Sequence, residues 1–208
     1  MNKYKIVCIV LAVGLLAALA RIVAGSGEPA TDTKGNAALR NILSRKSVRS
    51  YTDRDVTAEQ IDTLLRAAMA APTGRDVRPW RFVVVDRRSV LDSLHDRLPK
   101  AAMLAEAKAA IVVCADSTAK AADGQPTRNW ALDCAAATEN LLLAAEAMGL
   151  GAVWTGVYPY EERMAAVKAV LHLPDSIVPL NVVPIGYPKG KTQPKDKYNP
   201  GQIHYNRW

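Results

Sequence analysis

Apolar residues recur along this chain either at helical spacing or in unbroken short runs, and the alternation of the two predicts its elements. Thr57 and Gln60 form a capping box at a helix entrance. Behind them Ile61, Leu64, Leu65 and Ala68 fall on one face of a helix over Ala58–Ala71, which Pro72 stops. Asn36 is placed to cap an earlier helix through Ile42 and Leu43 that ends in the cations Arg45, Lys46 and Arg49. Arg81–Asp86 reads as a strand and Leu91–Leu98 as a short amphipathic helix. Ala109–Ala115, with Ile111, Val112 and Val113 in succession, reads as a strand buried on both faces. Thr127 is expected to open the longest helix. Its body, Ala131–Met148, is apolar almost all round, which requires cover from sheet, other helices or a second subunit, and Gly149 ends it. Val153–Val157 follows as a strand, Tyr160–Leu171 as a helix and Ile177–Ile185 as a last strand.

Helices and strands are mixed without strict β-α-β order, so the expected fold class is α+β, a three-layer domain rather than a doubly wound sheet. No internal repeat is present. Beyond the last strand, residues 187–208 carry three prolines and leave Ile203, Tyr205 and Trp208 without a core of their own. An extended arm lying on a partner subunit satisfies them better than a disordered terminus.

The first residues have a different character. Lys3 and Lys5 precede Ile6–Ala20, fifteen residues without a charge, and Ala18-Leu19-Ala20 supplies a small-residue cleavage pattern. A helix of that length covers about 22 Å, short of a hydrocarbon core of about 30 Å, which favours a cleaved signal peptide over an N-terminal anchor for residues 1–24. Residues 25–35 are small and polar, a linker, and residues 36–208 form the domain. Either leader sends the domain across the membrane, so the expected location is periplasmic or envelope-associated, touching membrane only through an uncleaved leader.

Composition narrows the chemistry. At 208 residues, half of them hydrophobic, the chain can build a core without staples. Its net charge of +7 includes Lys3, Lys5 and Arg21, so the surplus without the leader is too modest to imply nucleic acid. Cys8 lies in the leader, too early for lipid modification, while Cys114 and Cys134 sit among Val, Ile and Ala as buried thiols without a nearby base. His95, His172 and His204 show no ligand spacing. Gly186–Thr192 lacks both the glycine spacing and the following helix of a phosphate-binding P-loop, and Gly149-Leu150-Gly151 lacks the third glycine and preceding strand of a dinucleotide fold. No G-x-S-x-G elbow occurs.

What remains is a set of cations beside hydroxyls: Arg45, Lys46, Ser47 and Arg49 in one stretch, Lys195 and Lys197 in the tail. Together they suit a phosphate, guanidinium giving paired donors, ammonium a point charge and serine a neutral hydrogen bond. A solvated charged face is the alternative that composition alone prefers.

The sequence order decides between them. Ser44-Arg45-Lys46-Ser47-Val48-Arg49-Ser50-Tyr51 resembles the N-terminal flavin-binding signature of the nitroreductase family. Ala70-Ala71-Pro72-Thr73-Gly74-Arg75-Asp76-Val77-Arg78-Pro79-Trp80 is similar to its A-P-S-x-x-N-x-Q-P-W segment. Asn140–Ala145, Gly149–Gly151 and Trp154-Thr155-Gly156 are similar to its central helix and flavin-facing strand, and Pro184–Pro188 with Lys195 and Lys197 to its closing strand and basic tail.

The resemblance implies a three-layer α-β-α sandwich, an intertwined homodimer with a C-terminal arm over the partner, and FMN at each of two interface sites. It implies that Arg45, Lys46, Ser47, Arg49, Lys195 and Lys197 hold the FMN phosphate and ribityl chain. Pro72, Thr73 and Gly74 would contact the flavin from the other subunit, and Thr155 with Gly156 would sit at its N5 and O4 edge. Asp76 and Arg78 depart from the family's Asn and Gln. Asp76 can accept from the flavin N3–H, and Arg78 either favours the anionic reduced flavin or pairs with Asp76 at the surface. Trp80, Trp154 and Tyr158 are candidates for pocket walls or for core.

The implied activity is an FMN-dependent oxidoreductase, NAD(P)H-linked, that reduces a flat electrophilic acceptor such as a nitroaromatic or quinone in a ping-pong cycle, with no side chain as acid, base or nucleophile. Export would leave little nicotinamide dinucleotide, so a membrane quinol or an electron carrier would be another donor. Two other readings stand beside it: a flavin-consuming relative, and a non-enzymatic envelope module that binds an anionic polymer.

Overall fold

The computed structural model describes residues 35–208; the expected leader, Cys8 and all of the expected linker before residue 35 lie outside the described residues. The chain divides after Arg40, and Asn41–Trp208 forms the larger compact unit. The first helix, α1 (Ala37–Ser44), spans that division. Asn36 caps it, its side-chain oxygen accepting from the N–H groups of Ala38 and Leu39 at 3.0 and 3.1 Å.

The larger unit continues with α2 (Ala58–Met69), β1 (Trp80–Val85), α3 (Arg88–Arg97), β2 (Ala109–Asp116), α4 (Trp130–Ala147), β3 (Gly151–Ala152), β4 (Thr155–Gly156), α5 (Glu161–Leu171) and β5 (Ile177–Gly186). The capping box at Thr57 and Gln60 is present with both of its hydrogen bonds. The strands form one antiparallel sheet in the order β1-β2-β5-β3, with β4 also on β5.

Strand β2 carries the core. Ile111, Val113 and Ala115 join Leu64 and Ala68 of α2 and Cys134, Ala137 and Leu141 of α4 on one face. Ala110, Val112 and Cys114 join Leu91 and Leu94 of α3 and Val167 of α5 on the other. This is the expected three-layer α-β-α sandwich: side chains alternate across the strand, and because helices cover both faces the sequence reads as an apolar run. Cys114 and Cys134 are free, and burial pushes each thiol up to about 12.

Two expectations need correction. The strand expected over Val153–Val157 is split into β3 and β4. Both keep one register on β5, but the residue that Val153 would face is Pro184, which has no N–H to give to a ladder. Helix α4 starts at Trp130 instead of Thr127. Thr127 is spent on the preceding loop, its N–H donating to the Ala119 carbonyl and its hydroxyl oxygen accepting from the Asn129 N–H, and Asn129 takes the N-cap position.

A bulge between β2 and β5 leaves Leu180 unpaired with β2, so Leu180 and Asn181 both turn toward α4. Buried there, Asn181 donates to the Thr138 hydroxyl at 3.0 Å. After β5 the tail holds a single short turn, Pro200–Gln202, and Tyr198, Ile203, Tyr205 and Trp208 are exposed. Among the described residues no helix is long and apolar enough to cross a membrane.

Candidate functional site

The segment after α1 lies outside the named helices and strands and is pinned at several residues. Val48 donates to the Ala152 carbonyl of β3 at 3.0 Å, and its side chain is buried. Tyr51 is buried too; its hydroxyl lies 2.9 Å from the Val48 carbonyl and 3.1 Å from that of Pro184, and burial raises its pKa well above the usual phenol. The Tyr51 N–H donates to Glu106, and Lys189 donates to the Ser50 carbonyl, so the start of the tail is fastened alongside. With Val48 and Tyr51 turned inward, Arg49 is left at the surface and Ser47 half-buried.

Across from them the tail closes a cavity of about 300 Å³ lined by Arg45, Lys46, Ser47, Arg49, Thr192, Gln193, Lys195 and Lys197. The six residues expected to hold a phosphate therefore share one cavity, although about 150 positions separate the two segments. Two of the cations have acidic partners on α4: Lys46 reaches Glu146 at 2.6 Å and Arg45 reaches Glu139 at 3.2 Å. These pairs orient the cations and still leave the cavity with more positive than negative charge. A neighbouring hollow of about 490 Å³ shares Arg45, Lys195 and Lys197 and adds Ile42, Leu43 and Tyr198.

The second cluster of expected residues lies on the loop between α2 and β1. Thr73 donates its hydroxyl to Asp133 Oδ2 and Gly74 donates its N–H to Asp133 Oδ1, each at 3.0 Å. Asp76 and Arg78 pair with each other through two hydrogen bonds of 2.6 Å, and both are exposed. The hydrogen bond from the Arg78 guanidinium holds the Asp76 carboxyl below the usual carboxylate range. Of the two roles open to Arg78, the surface pair is the one the geometry contains. Thr155 and Gly156 form β4; the Thr155 hydroxyl faces Met103 Sδ at 3.9 Å, and the Gly156 carbonyl accepts from Arg163 at 3.0 Å. Trp80 is core, whereas Trp154 and Tyr158 are partly exposed, with Tyr158 edge-on to Trp130. Neither the 72–78 loop nor β4 lines the basic cavity within one chain.

Sequence reasoning missed the groups that hold these residues in place: Glu106, Asp133, Glu139, Glu146 and the cavity residues Thr192 and Gln193. One signal was available, because Glu139 and Glu146 are seven residues apart and so lie two turns apart on one stripe of an otherwise apolar helix.

The donor set of the cavity suits a phosphomonoester: guanidinium and ammonium groups for charge, with Ser47 and Thr192 as neutral partners. The sequence pattern described as the nitroreductase family matches residues 42–102 and 92–187. A candidate NADH dehydrogenase/NAD(P)H nitroreductase of Archaeoglobus fulgidus is 44% identical over 173 residues, covering 82% of this chain and 98% of that one. The crystal structure of a protein given the same name, from Bacteroides thetaiotaomicron, superposes with a TM-score of 0.79 at 56% identity, covering 84% of this chain and 99% of that one. A nitroreductase-like protein from Desulfovibrio desulfuricans, solved in complex with FMN, superposes with a TM-score of 0.69 at 26% identity over 83% of this chain and 98% of that one. On this match of sequence and fold, the chain belongs to the nitroreductase family.

Proposed function

We propose that the cavity between residues 45–49 and 192–197 holds the phosphate of FMN, and that the chain reduces a flat electrophilic acceptor of the nitroaromatic or quinone type in a ping-pong cycle. The chain is an FMN-dependent, NAD(P)H-linked oxidoreductase of the nitroreductase family. The single observation that supports the cofactor site most is the convergence of Arg45, Lys46, Arg49, Lys195 and Lys197 on one hollow.

FMN, where bound, supplies the two-electron chemistry between donor and acceptor. The protein's part is placement. Arg45, Lys46, Arg49, Lys195 and Lys197 neutralise the phosphate, and Ser47 completes its hydrogen bonds. Pro72, Thr73 and Gly74 would bound the flavin across a homodimer interface, with Asp76 and Arg78 beside them, and Thr155 and Gly156 would lie at its pyrimidine edge. No side chain need transfer a proton for this chemistry.

The homodimer is supported by apolar surface that one chain leaves wet: Leu43 and Leu132 are 65% and 71% exposed and Trp208 is fully exposed. Export through residues 1–24 belongs to the same proposal.

Protein purified with added FMN should be yellow and dimeric by light scattering. Anaerobic NAD(P)H should bleach the visible band, and a quinone or nitroaromatic should restore it. Colourless protein that binds polyanions in a salt-dependent way overturns the proposal. Mass analysis of the N-terminus after expression tests the leader.

A further inference from the structure

The loop at residues 72–78 holds a backbone conformation that arginine, at two of its positions, rarely adopts. Arg75, Asp76 and Arg78 have φ of 54°, 54° and 51°, in the left-handed region where a Cβ crowds the backbone. Such a geometry persists only where its surroundings impose it.

The exposed Arg75 side chain reaches Asp123 at 3.0 Å and the Pro126 carbonyl at 3.3 Å, but the buried anchor is Asp133, in the first turn of α4, where the helix N-terminus favours a carboxylate. It is buried, 5% exposed, and faces away from solvent into the loop. Its Oδ1 accepts from the Gly74 N–H and its Oδ2 from the Thr73 hydroxyl, each at 3.0 Å. The Thr73 oxygen accepts in turn from the Arg78 N–H at 3.0 Å. One side chain thus ties down both ends of the left-handed stretch, Gly74 directly before Arg75 and Arg78 through Thr73. Asn129, one turn earlier on the helix, closes the remaining side: a Cβ on Gly74 would lie 2.9 Å from its Nδ2.

We propose that Asp133 is a positioning residue for the cofactor, presetting the Pro72–Arg78 loop in the shape that meets the flavin. The proposal rests on the FMN site described above. It has a chemical consequence. The Thr73 hydroxyl proton and the Gly74 N–H both point at Asp133, so neither donates to the flavin, and the loop meets its cofactor through its shape and its other backbone groups.

Three variants test this: Asp133→Ala, Thr73→Val and Asp133→Asn. Asparagine keeps the geometry, because Oδ1 can still accept from Gly74 while Nδ2 donates to a Thr73 oxygen that still accepts from Arg78. Amide exchange of the apo protein is read at residues 73–78 and, as a control for folding, in β2. FMN affinity is read by fluorescence quenching, together with the position of the bound flavin's visible band. Asp133→Ala should speed exchange in the loop while β2 stays protected, weaken FMN by about tenfold and shift the band. Thr73→Val, at a half-buried loop position that leaves α4 intact, should do the same to a lesser degree, and Asp133→Asn should restore wild-type values. Wild-type loop exchange and flavin affinity in both Asp133→Ala and Thr73→Val overturn the proposal, as does an Asp133→Asn variant no better than Asp133→Ala. A wild-type protein that takes up no FMN overturns instead the functional reading, while loop exchange still decides whether Asp133 is the anchor.

Discussion

The basic cavity and the 72–78 loop are both assigned to one cofactor, yet they are built from opposite materials. The cavity owes its character to side-chain charge, five cations gathered from two distant segments, with Arg45 and Lys46 steadied by Glu139 and Glu146. The loop owes its character to backbone shape. Its charge pairs, Asp76 with Arg78 inside the loop and Arg75 with Asp123, are exposed, and a buried carboxylate sets its course. A charged cavity tolerates small shifts of its members and responds to salt, because Coulomb attraction falls slowly with distance and is screened by ions. A shaped loop ignores salt and fails when one hydrogen bond is misplaced.

The largest expected effect breaks the cavity. Arg49 is exposed in the single chain and contributes little to folding, but a guanidinium on a phosphate is worth about 1.5–3 kcal/mol. Arg49→Ala should therefore weaken FMN by about 10- to 100-fold while leaving the melting temperature of the apo protein unchanged. Isothermal titration and thermal unfolding check the two halves. Raising salt should weaken FMN binding to the wild type more than to Arg49→Ala, since less charge remains to be screened.

A smaller effect should reach the cavity from its scaffold. A Cβ on Gly151 would lie 2.6 Å from Val48 Cγ1 and 2.8 Å from Val48 Cβ. Val48 is the buried residue between Ser47 and Arg49, and it is bonded to β3. Gly151→Ala must push that segment outward, at a cost to stability of about 1–3 kcal/mol. Loss of both Tm and FMN affinity is expected. A stable variant with lowered affinity would mean that the segment yields without strain, and that the cavity is less rigid than its anchors suggest.

The same contrast explains what could be read from the sequence. Elements with a strong hydrophobic period, such as Ala58–Met69 and the run through Ile111–Val113, were legible to within a few residues because burial alone dictates them. The cations were legible as a group because their residue types and order resemble a known signature. The division of β3 from β4 was not read, since it depends on which residue faces Pro184 across the sheet, a matter of register that no local window contains. Asp133 was hidden for a similar reason. In the sequence it is one acid in an alanine-rich helix; its meaning lies in Thr73 and Gly74, about sixty positions away, and in left-handed residues whose types do not announce that conformation.

The smallest effect concerns Asp76 and Arg78. Asp76 has its pKa lowered in the folded loop, so the pairing contributes fully above the ordinary carboxylate range and is lost as pH falls through the lowered value. Arg78→Gln should move the Asp76 titration, followed by carboxyl carbon NMR, back up toward the ordinary range. It should scarcely change the melting temperature, because exposed pairs are weak. Near a flavin the consequence would be electrostatic. Without Arg78 the Asp76 charge is no longer neutralised, which disfavours an anionic reduced flavin and should lower its midpoint potential by about 10–30 mV. Asp76→Asn combined with Arg78→Gln removes both charges and should return the potential to the wild-type value. If the single variant leaves the potential unmoved while the NMR titration shifts as expected, the pair lies too far from the flavin to act on it, and the loop contributes to the cofactor site through shape alone.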